Sequence, residues 1–152
     1  MEAIRRHDAA VPRRDRAQSL AITSDWSAPA HQAHLLLRTG FTVAPILFGL
    51  DKFFDLMTTW TQYLAPVFPR TIGVAPEVFM RGVGVIEVVA GVLVGVAPRF
   101  FAYLVAAWLA LIIIDLLVLG RFYDVALRDF GLMIGAIALG RLSQAMHERR
   151  TR

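Results

Sequence analysis

Apolar residues fill four long runs of this chain, and polar residues concentrate at its two ends and in one loop. The run 80–97 is long enough to cross a bilayer, yet it carries a glutamate near its middle. At 100° per residue, Gly84, Glu87, Gly91 and Gly95 fall on one face of a helix. Glycines let helix backbones approach closely, so this face is expected to meet a neighbouring helix rather than lipid. An ionisable side chain in hydrocarbon costs roughly 2.5–3.5 kcal/mol even on the mildest scales. Glu87 is therefore expected to have partners on other helices.

The rest of the pattern supplies those helices. The first span is expected at about 35–57, where Gly40, Ala44, Leu47, Asp51 and Asp55 share a face and Pro45 introduces a kink. Residues 58–78 form the longest loop, with Trp60, Tyr63, Phe68 and three prolines. Its aromatics suit a segment in the headgroup layer or a cap on the bundle, with a short helix over 59–64. The second span is expected at 79–97. Pro98 and Arg99 then turn the chain into a third, 100–119, which is almost wholly apolar apart from Asp115. A fourth, 124–142, places Asp124, Arg128, Gly131 and Gly135 on one face. Residues 1–33 alternate arginines with acids and hold too little apolar surface to fold alone, so a disordered basic tail is expected. The paired arginines there lack the short apolar core and cleavage site of a signal peptide. Residues 143–152 form a second basic end. The expected fold is all-α, an integral membrane four-helix bundle with a disordered N-terminal tail.

Composition agrees with this reading. The 152 residues are 57% hydrophobic and 18% charged, against the usual 45–50% and about 25% of a soluble domain. The formal charge of +4 comes mainly from arginines beside the apolar runs. That placement indicates topology and anionic lipid, with no nucleic acid as partner. Both ends and the Pro98–Arg99 turn are arginine-marked, while the other two loops hold only Arg70 and Arg121. Both termini are therefore expected in the cytoplasm. The absence of cysteine excludes a thiol redox centre or an iron–sulfur cluster on this chain.

With that topology the charges fall at similar depths. At 1.5 Å per residue, Asp51 lies roughly 9 Å, Glu87 about 12 Å, Asp115 about 6 Å and Asp129 about 8 Å from the outer end of its helix. Lys52, Asp55, Arg81 and Arg128 belong to the same outer third. The candidate site is thus Asp51, Lys52, Arg81, Glu87, Asp115, Arg128 and Asp129, with Glu87 the candidate proton acceptor. One reading is an ion-pair network that fixes helix register. The other is a polar pocket that holds a cation, a proton or a ligand head group. Several chemistries are discounted. The histidines lie in the tails or at a membrane edge, against bis-histidine haem ligation. The Glu-x-x-His pairs of di-iron bundles are missing, as are hydrolase and nucleotide-binding motifs, and no metal is expected.

Several short pieces, in order, resemble one family. They are Arg38, Gly49-Leu50-Asp51-Lys52-Phe53, Ile86-Glu87-Val88-Val89-Ala90-Gly91 with Gly95, Pro98-Arg99-Phe100, and Arg128-Asp129-Phe130-Gly131-Leu132. Over 35–142 this pattern resembles the DoxX family of small four-helix bacterial membrane proteins, although Ala90 stands where that family often has glycine. The resemblance implies a multi-pass protein of the bacterial cytoplasmic membrane, with Glu87, Asp51 and Lys52 lining its polar site. It also implies an accessory or anchoring subunit of a membrane-associated oxidoreductase, with quinone as candidate cofactor and redox proteins as partners. In that role Lys52 or Arg128 would donate to a head group, and Asp51 and Asp115 would relay protons. Two alternatives remain: a small transporter or binding protein for a cation or polar solute, which would need a homo-oligomer, and a non-catalytic membrane scaffold.

Overall fold

The structure is a computed structural model that describes residues 27–150. Those residues are 85% helical, and no strand occurs among them. The chain divides into two units, 1–33 and 34–152, and the second carries the features described below. The expectation of a disordered tail over 1–33 falls mostly outside the described residues, and its described part, 27–33, is helical instead. Five α-helices follow one another: α1 (Ser27–Asp51), α2 (Val67–Ile72), α3 (Pro76–Val96), α4 (Pro98–Leu119) and α5 (Tyr123–Arg150), with a 3₁₀ turn at Trp60–Tyr63.

Local chemistry sets the helix ends. Prolines open α3 and α4, where the missing N–H is unneeded and the fixed φ suits the first turn. Gly73 and Gly120 close α2 and α4 in the left-handed conformation. At the second of these the Gly120 N–H reaches back to the carbonyls of Leu116 and Leu117, at 3.1 and 3.2 Å. α1 departs from expectation at its C-terminal end. It stops at Asp51 rather than near residue 57, because the Asp51 carboxylate accepts the N–H groups of Leu56 (3.1 Å) and Met57 (3.2 Å) and folds 52–57 back as a turn. Asp55, at φ 50°, takes the left-handed residue of that turn. The short helix α2 was not foreseen in the loop.

Three helical segments, Pro29–Asp51, Pro76–Val96 and Pro98–Leu119, are long and apolar enough to cross a bilayer. Large apolar side chains such as Leu36, Val96, Ile114 and Leu127 point outward, which suits a lipid environment. The expected fourth span lies within α5. That helix is not one of the three, since Asp124, Arg128, Asp129 and Arg141 interrupt its apolar run.

The interior is built from small residues. Ala90 and Val94 of α3, Ala102, Val105 and Ala106 of α4, and Ala136 and Leu139 of α5 form the buried core, with Leu37 and Phe41 of α1 packed against it. The glycine face of α3 lies on α1, antiparallel to it. A Cβ added at Gly84 would stand 2.6 Å from the Gly49 carbonyl oxygen, and one at Gly91 2.7 Å from that of Thr42. Only hydrogen fits there, so the stripe fixes the approach of the two helices. Loop and turn connections put Asp51, Lys52, Glu87 and Asp115 at one end of the bundle, called the loop end below. Arg38, Gly95 and Pro98 lie at the other, the turn end.

Candidate functional site

Lys52 is the first residue beyond α1, and its long side chain turns inward along Gly84 of α3, whose missing side chain leaves the room. There Lys52 Nζ donates a hydrogen bond of 2.6 Å to Glu87 Oε2. The partner demanded by the mid-helix glutamate is this lysine. Lys52 is 6% exposed and Glu87 8%, so the pair is shielded from solvent and its attraction is little screened. From α5, Asp129, 5% exposed, lies within electrostatic reach of both. From α4, the indole of Trp108 approaches Glu87. Its N–H is buried and falls outside hydrogen-bonding geometry. Four elements thus converge on one ammonium and two carboxylates.

The other expected site residues take different places. Asp51, also buried, directs its carboxylate to the loop: besides the N–H groups of Leu56 and Met57 it accepts Trp60 Nε1–H at 2.8 Å. Asp115 accepts the Ala65 N–H at 2.9 Å and pins the loop to α4. Asp51 is buried and Asp115 only partly so, and both carboxylates serve as loop anchors. At Ala65, which is buried, the reason is that a buried backbone N–H must be paired. Arg128 is bonded to its neighbour Asp129 (Nε to Oδ1, 3.2 Å) with a side chain 62% exposed. Arg81 is exposed. The expected common layer of charge therefore divides into a buried cluster, Lys52–Glu87–Asp129, and two anchors of the loop.

Some participants escaped sequence reasoning. Trp60 lies over the Lys52 ammonium, 3.7 Å from ring centroid to Nζ. Its role as an ammonium partner depends on the turn at 52–57, which periodicity does not show. Trp108 had a signal, since an indole N–H in a buried aliphatic run wants an acceptor.

At the turn end, Arg38 donates through Nε (3.0 Å) and Nη2 to the carbonyl oxygen of Gly95, capping the C-terminus of α3. Ser143 Oγ donates to the Leu139 carbonyl oxygen and bonds His34 Nε2 at 3.0 Å. These contacts hold α1 to α3 and α5 far from the buried pair. Two surface clefts border the loop and share Pro66 and Arg70, and neither is lined by the buried charges. Among the described residues, no group of histidine and carboxylate side chains has the geometry to hold a metal.

Set against protein-family models, curated proteins and solved structures, the chain matches none of them.

Proposed function

We propose that this chain is a DoxX-like, four-span protein of the bacterial cytoplasmic membrane. Its role is that of an accessory or anchoring subunit of a membrane-associated oxidoreductase, with Glu87 as a proton acceptor at a buried polar site. The observation that carries the reading is the Lys52–Glu87 pair with Asp129 behind it, each more than nine-tenths buried in a bundle of apolar helices. Ionisable groups are kept in such places at a cost of several kcal/mol per ion before pairing, and intramembrane examples mark proton or ion paths and ligand sites. α5 is the fourth span in this reading, its Asp129 and Arg128 turned to the cluster and the membrane edge. The arginines of both ends place the termini in the cytoplasm.

In donor and acceptor chemistry alone, the residues of the buried cluster are of the kind that would serve a quinone head group. Trp108 N–H and the Lys52 ammonium are donors for a carbonyl oxygen, and Glu87 and Asp129 are acceptors for a hydroxyl. A bound quinone would supply the electron chemistry. The chain would orient the head group, exclude water and hold a proton at a Glu87 carboxylate oxygen, while Lys52 stabilises the charge left when the proton moves on.

A second reading is the non-catalytic scaffold. It is favoured by Asp51 and Asp115, whose carboxylates are taken up by loop N–H groups and are not available as relays. Purification in mild detergent, with the bound proteins and small molecules identified by mass spectrometry, separates the two. The proposal expects a redox protein and a quinone to be retained. Retention of structural partners alone, with no redox protein or quinone, favours the scaffold.

A further inference from the structure

The loop closes over the buried pair through one side chain, and two consecutive residues hold the two features of its indole. Asp51 takes the Trp60 Nε1–H at 2.8 Å, and Lys52 presses its ammonium on the ring face. The Trp60 backbone N–H is taken by Asp55 Oδ1 at 3.4 Å. Rings continue outward from it: Phe48 meets Trp60 edge-on at 5.9 Å, Tyr63 follows at 6.2 Å, and Tyr63 packs on Phe122 at 4.6 Å. Phe122 is held at φ 60°, a conformation a bulky residue rarely adopts. The aromatic run thus joins the loop to the α4–α5 turn, directly above the only primary amine of any side chain in the protein.

We propose that Trp60 is the positioning residue of the buried pair and the cover through which it is reached from the loop end. The carboxylates facing Lys52 are Glu87 of α3, Asp129 of α5 and Asp51 beside it in sequence. Only Glu87 forms an ion pair with it. An ammonium bonded on one side to a carboxylate and on another to an aromatic face is held in one rotamer. Removing the ring would let the four-carbon stem swing toward the loop, breaking the pair and exposing Nζ. The Asp51–Trp60 bond is the latch, and it lies on the polypeptide that also carries Lys52, so movement of the loop and release of the ammonium are one event. This inference rests on the reading of Lys52–Glu87 as the site and adds how access to it is controlled.

The uniqueness of Lys52 makes the test direct. The full-length protein in nanodiscs is treated with a water-soluble activated ester, which acylates free amines, and the Lys52 peptide is quantified by mass spectrometry. The chain's N-terminal amine is the internal reference. Wild-type Lys52 is expected to label slowly relative to that amine. Trp60→Leu should raise the ratio by roughly 2- to 30-fold, the range that corresponds to the usual strength of a cation on an aromatic face. Trp60→Phe keeps a smaller aromatic face and loses the N–H, so it should label more slowly than the leucine variant. Asp51→Asn keeps an oxygen for the Leu56 and Met57 N–H groups and sets an amide NH2, which cannot accept, against the indole N–H. It frees the latch with the turn and the ring in place, should also raise the ratio, and decides the matter if Trp60→Leu fails to fold. An unchanged ratio in Trp60→Leu or Asp51→Asn, or equal labelling of the phenylalanine and leucine variants, overturns the proposal. Such a result would leave the Glu87 proposal intact, because that is read by electron transfer rather than by amine reactivity.

Discussion

Replacing Gly91 by alanine tests the packing of α1 on α3 with a single added carbon. A Cβ at that position lies 2.7 Å from the Thr42 carbonyl oxygen, 2.8 Å from Ile46 Cγ1 and 3.2 Å from Ile46 N. Two of these three atoms belong to the backbone of α1, so relief requires that helix to move as a body. Non-bonded heavy atoms rest comfortably at about 3.5–4.0 Å, which sets the displacement at roughly 1 Å. Overpacking of this kind costs about 1–3 kcal/mol. Gly82, on the same helix, is the control: a Cβ there meets nothing within 4 Å. Alanine in a helix is favoured over glycine by about 0.8–1.0 kcal/mol, so Gly82→Ala should stabilise slightly. The propensity gain is common to both substitutions and cancels, so they should differ by the overpacking cost, about 1–3 kcal/mol, with Gly91→Ala the less stable. Unfolding in mixed micelles titrated with SDS, followed by circular dichroism, reads the difference as a shift in midpoint. A Gly91→Ala midpoint at or above that of Gly82→Ala would refute the packing, and with it the register that brings Lys52 to Glu87.

Two further outcomes follow from the same contacts. Lys52→Met alone should destabilise by about 3–5 kcal/mol, because Glu87 is left buried without its counter-charge, whereas Lys52→Met with Glu87→Met should recover most of that loss. The same SDS titration checks it, and a double variant as unstable as the single one would mean that the pair is not isolated from other partners. Asp115→Ala should leave the buried Ala65 N–H unpaired, at a cost of about 1–3 kcal/mol. The expected sign is faster proteolysis within 58–66 with the bundle's helicity unchanged, and an unaltered cleavage rate would show that Asp115 does not anchor the loop.

The parts legible in the sequence are those governed by periodicity. The glycine stripe on α3 and the inward glutamate followed from spacing alone, because a helix turns every residue through the same angle. The stop at Gly120 followed from a residue with a permissive backbone, whereas the helices start at Pro76 and Pro98, ahead of the expected 79 and 100, because proline suits the first turn. What failed was tertiary. The apolar residues Phe53, Phe54, Leu56 and Met57 read as a continuation of α1, and nothing in their pattern shows that Asp51 will capture the N–H groups beyond it. Asp115 was grouped with the buried charges, but it is only partly buried and its donor lies 50 residues earlier on a loop, a distance that no local rule spans. Depth was therefore an incomplete guide to role. Asp51 and Asp129 are similarly buried, yet one is tied to the loop and the other faces the charged pair. Trp60 was read as an interfacial aromatic, and its position over Lys52 depends on the same unforeseen turn.

The central claim is that Glu87 carries a proton for a quinone-linked reaction. Its most direct test is quinone-dependent electron transfer in membranes that contain equal amounts of the wild-type chain or of Glu87→Gln, which keeps the shape and removes the titratable group. A loss of transfer of at least about tenfold is predicted, with partial recovery in Glu87→Asp, in keeping with the 10²–10⁴ that positioned acids and bases typically contribute. Equal rates in wild type and Glu87→Gln would contradict it.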